Sequence, residues 1–334
     1  MKKTLVFLIV LTTVFALSAA VNFSGGFKWE LTVPVDGSPV SSIGYDDNEG
    51  SSGGMGLNVT GDFYKLTFNK DFNDYTVWAT GNFYVDKALA EIGVEMPVSL
   101  TVTAGNSRVT AMNVYENPND NYAGRIRIDN RDNLPVSASI GYKNIVTLLA
   151  GYSFNDTPAS GKLEDQVQNF IVSAKIAPVD GVSATVGWTN HDQWSEYKGY
   201  TTTQQSVLAV TGKIDLDKLI DDLPIDLAIS GAASIFDFEA LDTTFGAAAV
   251  SVGYEDASAD VEYQYNQGAH GIGTNIGYEG FGDVGLYAGL GSSDVSDFSD
   301  NLWYYVKAAY NLGGTTYYAK FSDGGIGVGM EFSF

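Results

Sequence analysis

The chain has no cysteine, two histidines, and only 18 basic residues against 40 acidic ones over 334 positions. Without Cys there is no disulfide framework, no thiolate metal site and no thiol nucleophile. Two histidines do not make a zinc site. A formal net charge of −22 excludes a general nucleic-acid binder, because a phosphate backbone repels such a surface. Helical periodicity is nearly missing. The exception is 216–223 (LDKLIDDL), which has room for one or two turns beside Pro224. What the chain does hold is 38 Gly and 13% aromatic residues, and it is too rich in Leu, Ile, Val and Phe for an acidic disordered protein.

The first twenty residues read as a leader. Lys2 and Lys3 form a positive start, 4–17 is an apolar stretch, and Ser18-Ala19-Ala20 places small residues before Val21. This is the pattern of a secretory signal, and the apolar stretch is shorter than the ~20 residues a spanning helix needs. No Cys follows, so it is not a lipoprotein signal. Cleavage after Ala20 leaves 21–334 as one domain and moves the net charge from −22 to −24.

The rest of the chain alternates with a period of two. Phe23, Gly25, Phe27, Trp29, Leu31 and Val33 share one face, and Asn22, Ser24, Gly26, Lys28, Glu30 and Thr32 the other. That is a strand with one apolar and one polar side. The pattern recurs, for example at Val182, Ala184, Val186 and Trp188, at Ile225, Leu227, Ile229, Gly231, Ala233 and Ile235, and at Ile326, Val328, Met330, Phe332 and Phe334. Strands are expected at 22–33, 54–69, 75–86, 97–104, 122–129, 136–142, 145–154, 166–177, 182–190, 205–216, 225–236, 243–254, 258–266, 270–278, 283–291, 301–312, 315–322 and 325–334. The phase shift between Val59 and Leu66 leaves room for two strands in 54–69, and 105–121 is unassigned, with room for another strand. From 136 onward short and long connectors alternate, as in a meander with tight turns at one end and loops at the other.

Amphipathic strands build either a soluble sandwich or a membrane barrel. Repeats of about 9–12 residues suit a tilted membrane strand, whereas soluble strands run nearer 5–6. Aromatics stand near strand ends, at Tyr75, Tyr142, Tyr152, Phe154, Trp188, Tyr254 and Tyr310, where interface girdles lie. The expected fold is all-β, a transmembrane antiparallel meander barrel of about 16–18 strands, a size that leaves an aqueous lumen.

The terminal segment Gly327-Val328-Gly329-Met330-Glu331-Phe332-Ser333-Phe334 sharpens this. It resembles the last strand of bacterial outer-membrane proteins: Gly329, Phe332 and Phe334 match, and Gly327 stands where a polar residue is usual. The whole mature chain resembles an outer-membrane β-barrel of the porin type. The resemblance implies export to the outer membrane, recognition of Gly329, Phe332 and Phe334 by the barrel-assembly machinery, a bilayer setting, homo-oligomerisation as a trimer, and passage of ions and small solutes without any cofactor.

Alternation nominates pore-lining residues. Arg125 and Arg127 share a face opposite Gly124, Ile126 and Ile128, with Arg131 close by. If the isoleucines face lipid, the arginines face the lumen. Charged rings in a pore select ions, and porins resemble this with a basic cluster opposite acidic residues of an infolded loop. Here Glu116 and Asp120 lie in the unassigned stretch 105–121, which either folds into the lumen as such a loop or stays at the rim. Lys28, Glu30, Lys175, Lys213, Asp226, Asp260, Glu262 and Lys307 are further candidates.

No catalytic constellation stands out. His191, Asp192 and Ser195 fall in one loop, and a triad needs a rigid scaffold. Asp294, Asp297 and Asp300 lack Ca²⁺-loop spacing and read as solvated charge, with no metal site expected. The expected function is passive diffusion through an open pore, with a mild cation preference from acidic mouths. A structural barrel without an open pore is the alternative from another class, and a barrel enzyme a third.

Overall fold

The computed structural model describes residues 22–35, 40–44, 54–71, 77–105, 109–112, 126–128, 136–154, 167–189, 207–235, 244–266 and 268–333. Strands in chain order are β1 (Asn22–Val33), β2 (Val40–Gly44), β3 (Gly54–Thr60), β4 (Tyr64–Asp71), β5 (Val77–Tyr84), β6 (Ser99–Gly105), β7 (Val109–Met112), β8 (Ile126–Ile128), β9 (Val136–Tyr142), β10 (Val146–Phe154) and β11 (Val167–Val179). They continue as β12 (Val182–Thr189), β13 (Val207–Asp215), β14 (Asp226–Ile235), β15 (Phe245–Tyr254), β16 (Ala257–Asn266), β17 (Ala269–Phe281), β18 (Val284–Ser292), β19 (Leu302–Leu312), β20 (Thr315–Ser322) and β21 (Gly325–Ser333).

Wall strands pair antiparallel with their chain neighbours, and β1 pairs with β21 from Gly26↔Ser333 to Val33↔Ile326, which closes the sheet. Closure removes every free sheet edge, the condition for crossing lipid with strands. The result is an 18-strand meander barrel. Two features set that count. β2 and β3 both lie on β1, from Thr32↔Val40 to Lys28↔Gly44 and from Phe27↔Met55 to Asn22↔Thr60, so together they form one wall strand. β6 pairs directly with β9, including Ala104↔Val136, and β7 with β8 makes a separate two-stranded sheet outside the wall.

For 54–69 the two-strand alternative holds, and two further expectations are corrected. The stretch 54–69 is a hairpin, turned where Gly61 N–H bonds the Tyr64 carbonyl at 2.9 Å, and the phase shift between Val59 and Leu66 is that turn. Of the stretch 122–129 the described part, Ile126–Ile128, is not in the wall: among the described residues it pairs with β7. The strand expected over 75–86 ends at Tyr84 and runs into a helix, Val85–Glu91, which the alternation concealed. The first two displacements offset each other in the strand count. The helical turns expected over 216–223 form at Leu216–Leu219.

The barrel is inverted relative to a soluble protein. Ile140, Leu148, Val172, Ile176, Val186, Val210, Ile214, Ile229, Val250, Val261, Ile272, Ile276, Val306 and Val328 all point outward and are exposed. Polar residues alternate with them on the lumen side. Among the described residues no helix is long and apolar enough to cross a membrane. The outward belt on the strands supplies the lipid-compatible surface.

One end of the barrel carries tight turns. Lys143 and Asn144 adopt positive φ of 49° and 59°, and Gly313 and Gly314 of 59° and 83°. Two consecutive left-handed residues make the turn whose twist matches a hairpin. β1 begins and β21 ends at this same end. Tyr142, Tyr254, Tyr278 and Tyr310 face outward beside these turns, and Phe170, Trp188 and Tyr263 face outward toward the other end. Two aromatic girdles follow. Of the expected girdle residues, Tyr75 and the side chain of Phe154 lie outside the described residues.

Candidate functional site: the lumen

On one side the lumen is filled. Ser137, Gly151, Ile171, Thr189, Ala209, Ser234 and Phe245 face inward on β9 to β15, and all are buried. They are linked in register: Gly151 opposes both Ser137 and Ile171, Ile171 opposes Thr189, and Ser234 opposes both Ala209 and Phe245. Side chains on the inside of an empty wide barrel would be wet, so chain covers this band. β7 and β8 lie against β11 and β12. They lie on the lumen side, because Ile171 and Thr189 are both 0% exposed while their outward neighbours Phe170, Val172 and Trp188 are 45%, 42% and 41% exposed.

On the other side, from β19 through β20 and β21 to β1, the inward face carries ionic and aromatic groups, with Lys320 exposed and Trp303 buried. Inward positions are Lys28, Glu30 and Thr32 on β1, Thr316, Tyr318 and Lys320 on β20, and Trp303, Tyr305 and Lys307 on β19. The Lys307 ammonium lies 5.0 Å from the Tyr318 ring centroid and 5.8 Å from that of Tyr287. Lys28 lies 5.9 Å from Tyr318, and Lys320 5.4 Å from Tyr305. These are cation–π distances. Glu30 accepts hydrogen bonds from Thr32 at 2.9 Å and Tyr318 at 2.5 Å.

Glycines on the intervening strands let these rings lie flat on the wall. Gly329 stands between Glu30 and Tyr318 in register, and a Cβ there would meet Tyr318 Oη and the Trp29 carbonyl at 2.5 Å. Gly289 stands in the same way between Asn275 and Tyr305. Across it Tyr305 donates to Asn275 Oδ1 at 3.1 Å, and Asn275 donates to Asp260 at 2.8 Å. One polar chain therefore spans β16 to β19.

Beyond β17 the wall turns acidic. Asp260 and the buried Glu262 face inward on β16, with the Gln264 amide donating to Glu262. Asp226 faces inward on β14, and Lys213 pairs with Asp215 on β13 at 2.8 Å. On the opposite arc, Thr67 donates to Asn58 at 2.8 Å and Thr103 to Asn82 at 2.6 Å, so that wall is polar, and Lys65 stands on its inward face between Thr60 and Asn82.

The structure thus puts Lys28, Glu30, Lys175, Lys213, Asp226, Asp260, Glu262 and Lys307 on the inward side of wall strands. It brings Lys28, Glu30 and Lys307 together around Tyr318, and leaves Lys175 and Lys213 toward the tight-turn end, where Lys175 lines a cleft of about 400 Å³ with Lys143, Ser183 and Asp215. Arg125, Arg131, Glu116 and Asp120 lie outside the described residues, as do residues 1–20 and Phe334. The backbone of Arg127 is described in β8, opposite Thr110. Phe332 faces outward between Phe27 and Thr315. His270 faces outward, its Nδ1 2.6 Å from the Tyr263 hydroxyl, and His191 lies outside the described residues. Sequence reading missed Lys320, Tyr287, Tyr305, Tyr318 and Asn275. Alternation on β20 does place Lys320 on the face of Tyr318, but the ring-over-glycine contacts need the cross-strand register.

No known sequence family and no curated protein matches the chain. Solved structures match by fold. OccK3 (OpdO) of Pseudomonas aeruginosa aligns with a TM-score of 0.55 at 9% identity, covering 96% of this chain and 97% of that one. A mutant of the Rh. blastica porin aligns with a TM-score of 0.50 at 12% identity, covering 94% and 100%. The chain has the fold of a porin-type outer-membrane barrel.

Proposed function

We propose that the protein is an outer-membrane diffusion channel that passes ions and small hydrophilic solutes without an energy source. The observation that carries this is the asymmetry of the lumen: one arc is covered by the β7–β8 hairpin, while the arc from β19 to β1 keeps Lys320 exposed on its inner face. A barrel that only tiled the envelope has no need of a wet inner arc lined with charge. In this reading residues 1–20 direct export and are removed, the tight-turn end faces the periplasm, and Gly329, Phe332 and Phe334 form the signal read by the assembly machinery. Trimerisation is carried over from the porin resemblance.

The constriction lies where the covered arc faces the open one. Arg125, Arg127 and Arg131, with Glu116 and Asp120, belong to the segment that joins β6 to β9, and they are its candidate charges. Lys28, Glu30, Lys307, Asp260 and Glu262 are those of the wall. Proteoliposomes test the reading: neutral sugars of rising size enter at falling rates through a pore. Vesicles that stay osmotically intact to the smallest sugar, with correctly folded barrel present, contradict it.

A further inference from the structure

At the tight-turn end most connections use two or three residues: 61–63, 143–145, 180–181, 255–256, 282–283 and 313–314. An antiparallel hairpin needs no more. The connections 85–98 and 216–225 are longer, and each opens with a helix, α1 (Val85–Glu91) and α2 (Leu216–Leu219). Both are built in place. Asp86 accepts from the Leu100 backbone N–H at 3.0 Å. The end of α1 is closed by Gly93 N–H donating to the Ala90 carbonyl at 3.0 Å and Val94 N–H to that of Leu89 at 2.9 Å. α2 packs on the 180–181 turn: Asp215 N–H donates to the Gly181 carbonyl at 2.7 Å, and a Cβ on Gly181 would lie 2.6 Å from that of Lys218.

Both connectors display apolar side chains past the strand ends, away from the outward belt. Ile92 and Val94 are 71% and 48% exposed, and Leu219 and Ile220 43% and 48%. Their surroundings are acidic. The connectors of this end hold eleven Asp and Glu residues, with Lys87, Lys143 and Lys218 as their basic ones. Each of these lysines is engaged: Lys87 lies 4.6 Å from the Tyr84 ring centroid, Lys143 5.2 Å from that of Tyr142, and Lys218 pairs with Asp217 at 3.5 Å. A helix that lies in a lipid headgroup layer sets Lys and Arg beside its apolar face. Here Glu91, Glu95, Asp221 and Asp222 stand beside it instead. Apolar anchors within an acidic rim complement a cationic protein surface.

We propose that these two connectors are docking ledges for a basic, amphipathic segment of another protein. Its apolar side chains seat on Ile92 and Val94 or on Leu219 and Ile220, and its Lys and Arg side chains meet the acidic rim. Strands β6 and β9 to β13 separate α1 from α2, so each ledge takes its own stretch of partner. In the pore reading the tight-turn end faces the periplasm, and the partner is then an exported protein that meets the barrel at that mouth. The proposal takes only this orientation from the pore reading.

The test uses the barrel in nanodiscs of zwitterionic phosphatidylcholine and a labelled helical peptide of Lys and Leu, followed by fluorescence anisotropy. The peptide is expected to bind barrel discs about tenfold more tightly than empty discs, and I92S/V94S and L219S/I220S each to lose most of that gain. Loss in one of the two variants alone assigns docking to that helix. D221N/D222N, in which Asn keeps the left-handed backbone that Asp222 adopts at φ 61°, is expected to weaken binding and reduce its salt dependence. A Glu and Leu peptide of the same spacing is expected not to bind. Equal binding to barrel and empty discs, wild-type affinity in both serine variants, or equal binding of the Glu peptide overturns the proposal. Serine variants that keep the peptide but unfold at lower temperature in discs and not in detergent mark lipid anchors, which also overturns it. Binding needs no conducting pore, so failure here leaves the pore reading standing, and a closed lumen leaves the ledges standing.

Discussion

Tyr318 on β20 reaches over Gly329 of β21 to donate a hydrogen bond to Glu30 on β1, at 2.5 Å. The contact straddles the seam where the first and last strands meet. It ties the start of the chain to its penultimate strand, and it fixes why Gly stands at 329: the ring and the Trp29 carbonyl occupy the place of a Cβ.

The seam gives the first prediction. Tyr318→Phe removes a hydrogen bond to a carboxylate. Bonds to charged groups are worth about 1.5–3 kcal/mol, and part-exposure on a wet wall brings this to about 1 kcal/mol. Gly329→Ala forces the ring or the backbone to move, an overpacking cost of about 1–3 kcal/mol. Urea unfolding in lipid vesicles should rank wild type above Tyr318→Phe, with Gly329→Ala also below wild type. Equal midpoints for wild type and Gly329→Ala would sink the seam account.

The inverted faces give the second. Ile276 points outward and Ser258 inward, on β17 and β16. Arg on the lipid side near the midplane costs about 2–4 kcal/mol, and lumen changes far less. Ile276→Arg should therefore unfold at clearly lower urea than Ser258→Arg in the same vesicles. The opposite order would mean the faces are assigned the wrong way round.

Much of this was legible in the chain. A period of two over Phe23–Val33, or over Leu302, Tyr304, Val306 and Tyr310, states which side meets lipid, because lipid and lumen sort residues by polarity alone. What escaped was where one strand yields to another element. Ile126–Ile128 alternates like a wall strand, yet β6 and β9 pair with each other and exclude it. Local periodicity records an amphipathic ribbon, and only long-range pairing decides whether that ribbon lies in the wall or inside it. Residues such as Glu30 and Lys307 were legible as inward-facing. Their association through Tyr318 was not, since it depends on register across three strands.

The direct β6–β9 pairing gives the third prediction. Because Ala104 and Val136 are partners, a short Gly-Ser turn can replace 106–135 without opening the wall. Removing the hairpin uncovers the arc from β10 to β12, so single-channel conductance should rise severalfold. Unchanged conductance in a folded variant would show that the hairpin does not restrict the pore.

A fourth concerns the loop after β18. The Asp294 carboxylate accepts from the Ser296 hydroxyl at 2.7 Å and from its backbone N–H at 2.9 Å. The hydroxyl first, then the N–H, holds its pKa below the usual carboxylate range. Bonds to the charged form lower the folded pKa, so their support of the loop is present above the unfolded value and is lost as pH falls through the folded one. An NMR titration should find Asp294 below ordinary Asp and moving up toward it in Ser296→Ala. An unchanged titration in the variant would remove the Ser296 hydroxyl as the cause.

The central claim is an open aqueous lumen, and the direct measurement is single-channel current from the refolded protein in a planar bilayer under a salt gradient. The account predicts stable ohmic steps, with a reversal potential showing a mild preference for cations, the direction a chain of net charge −22 favours. Persistent silence from a barrel shown to be folded and inserted would contradict the pore, and an anion-selective reversal potential would contradict the role given to the mouths.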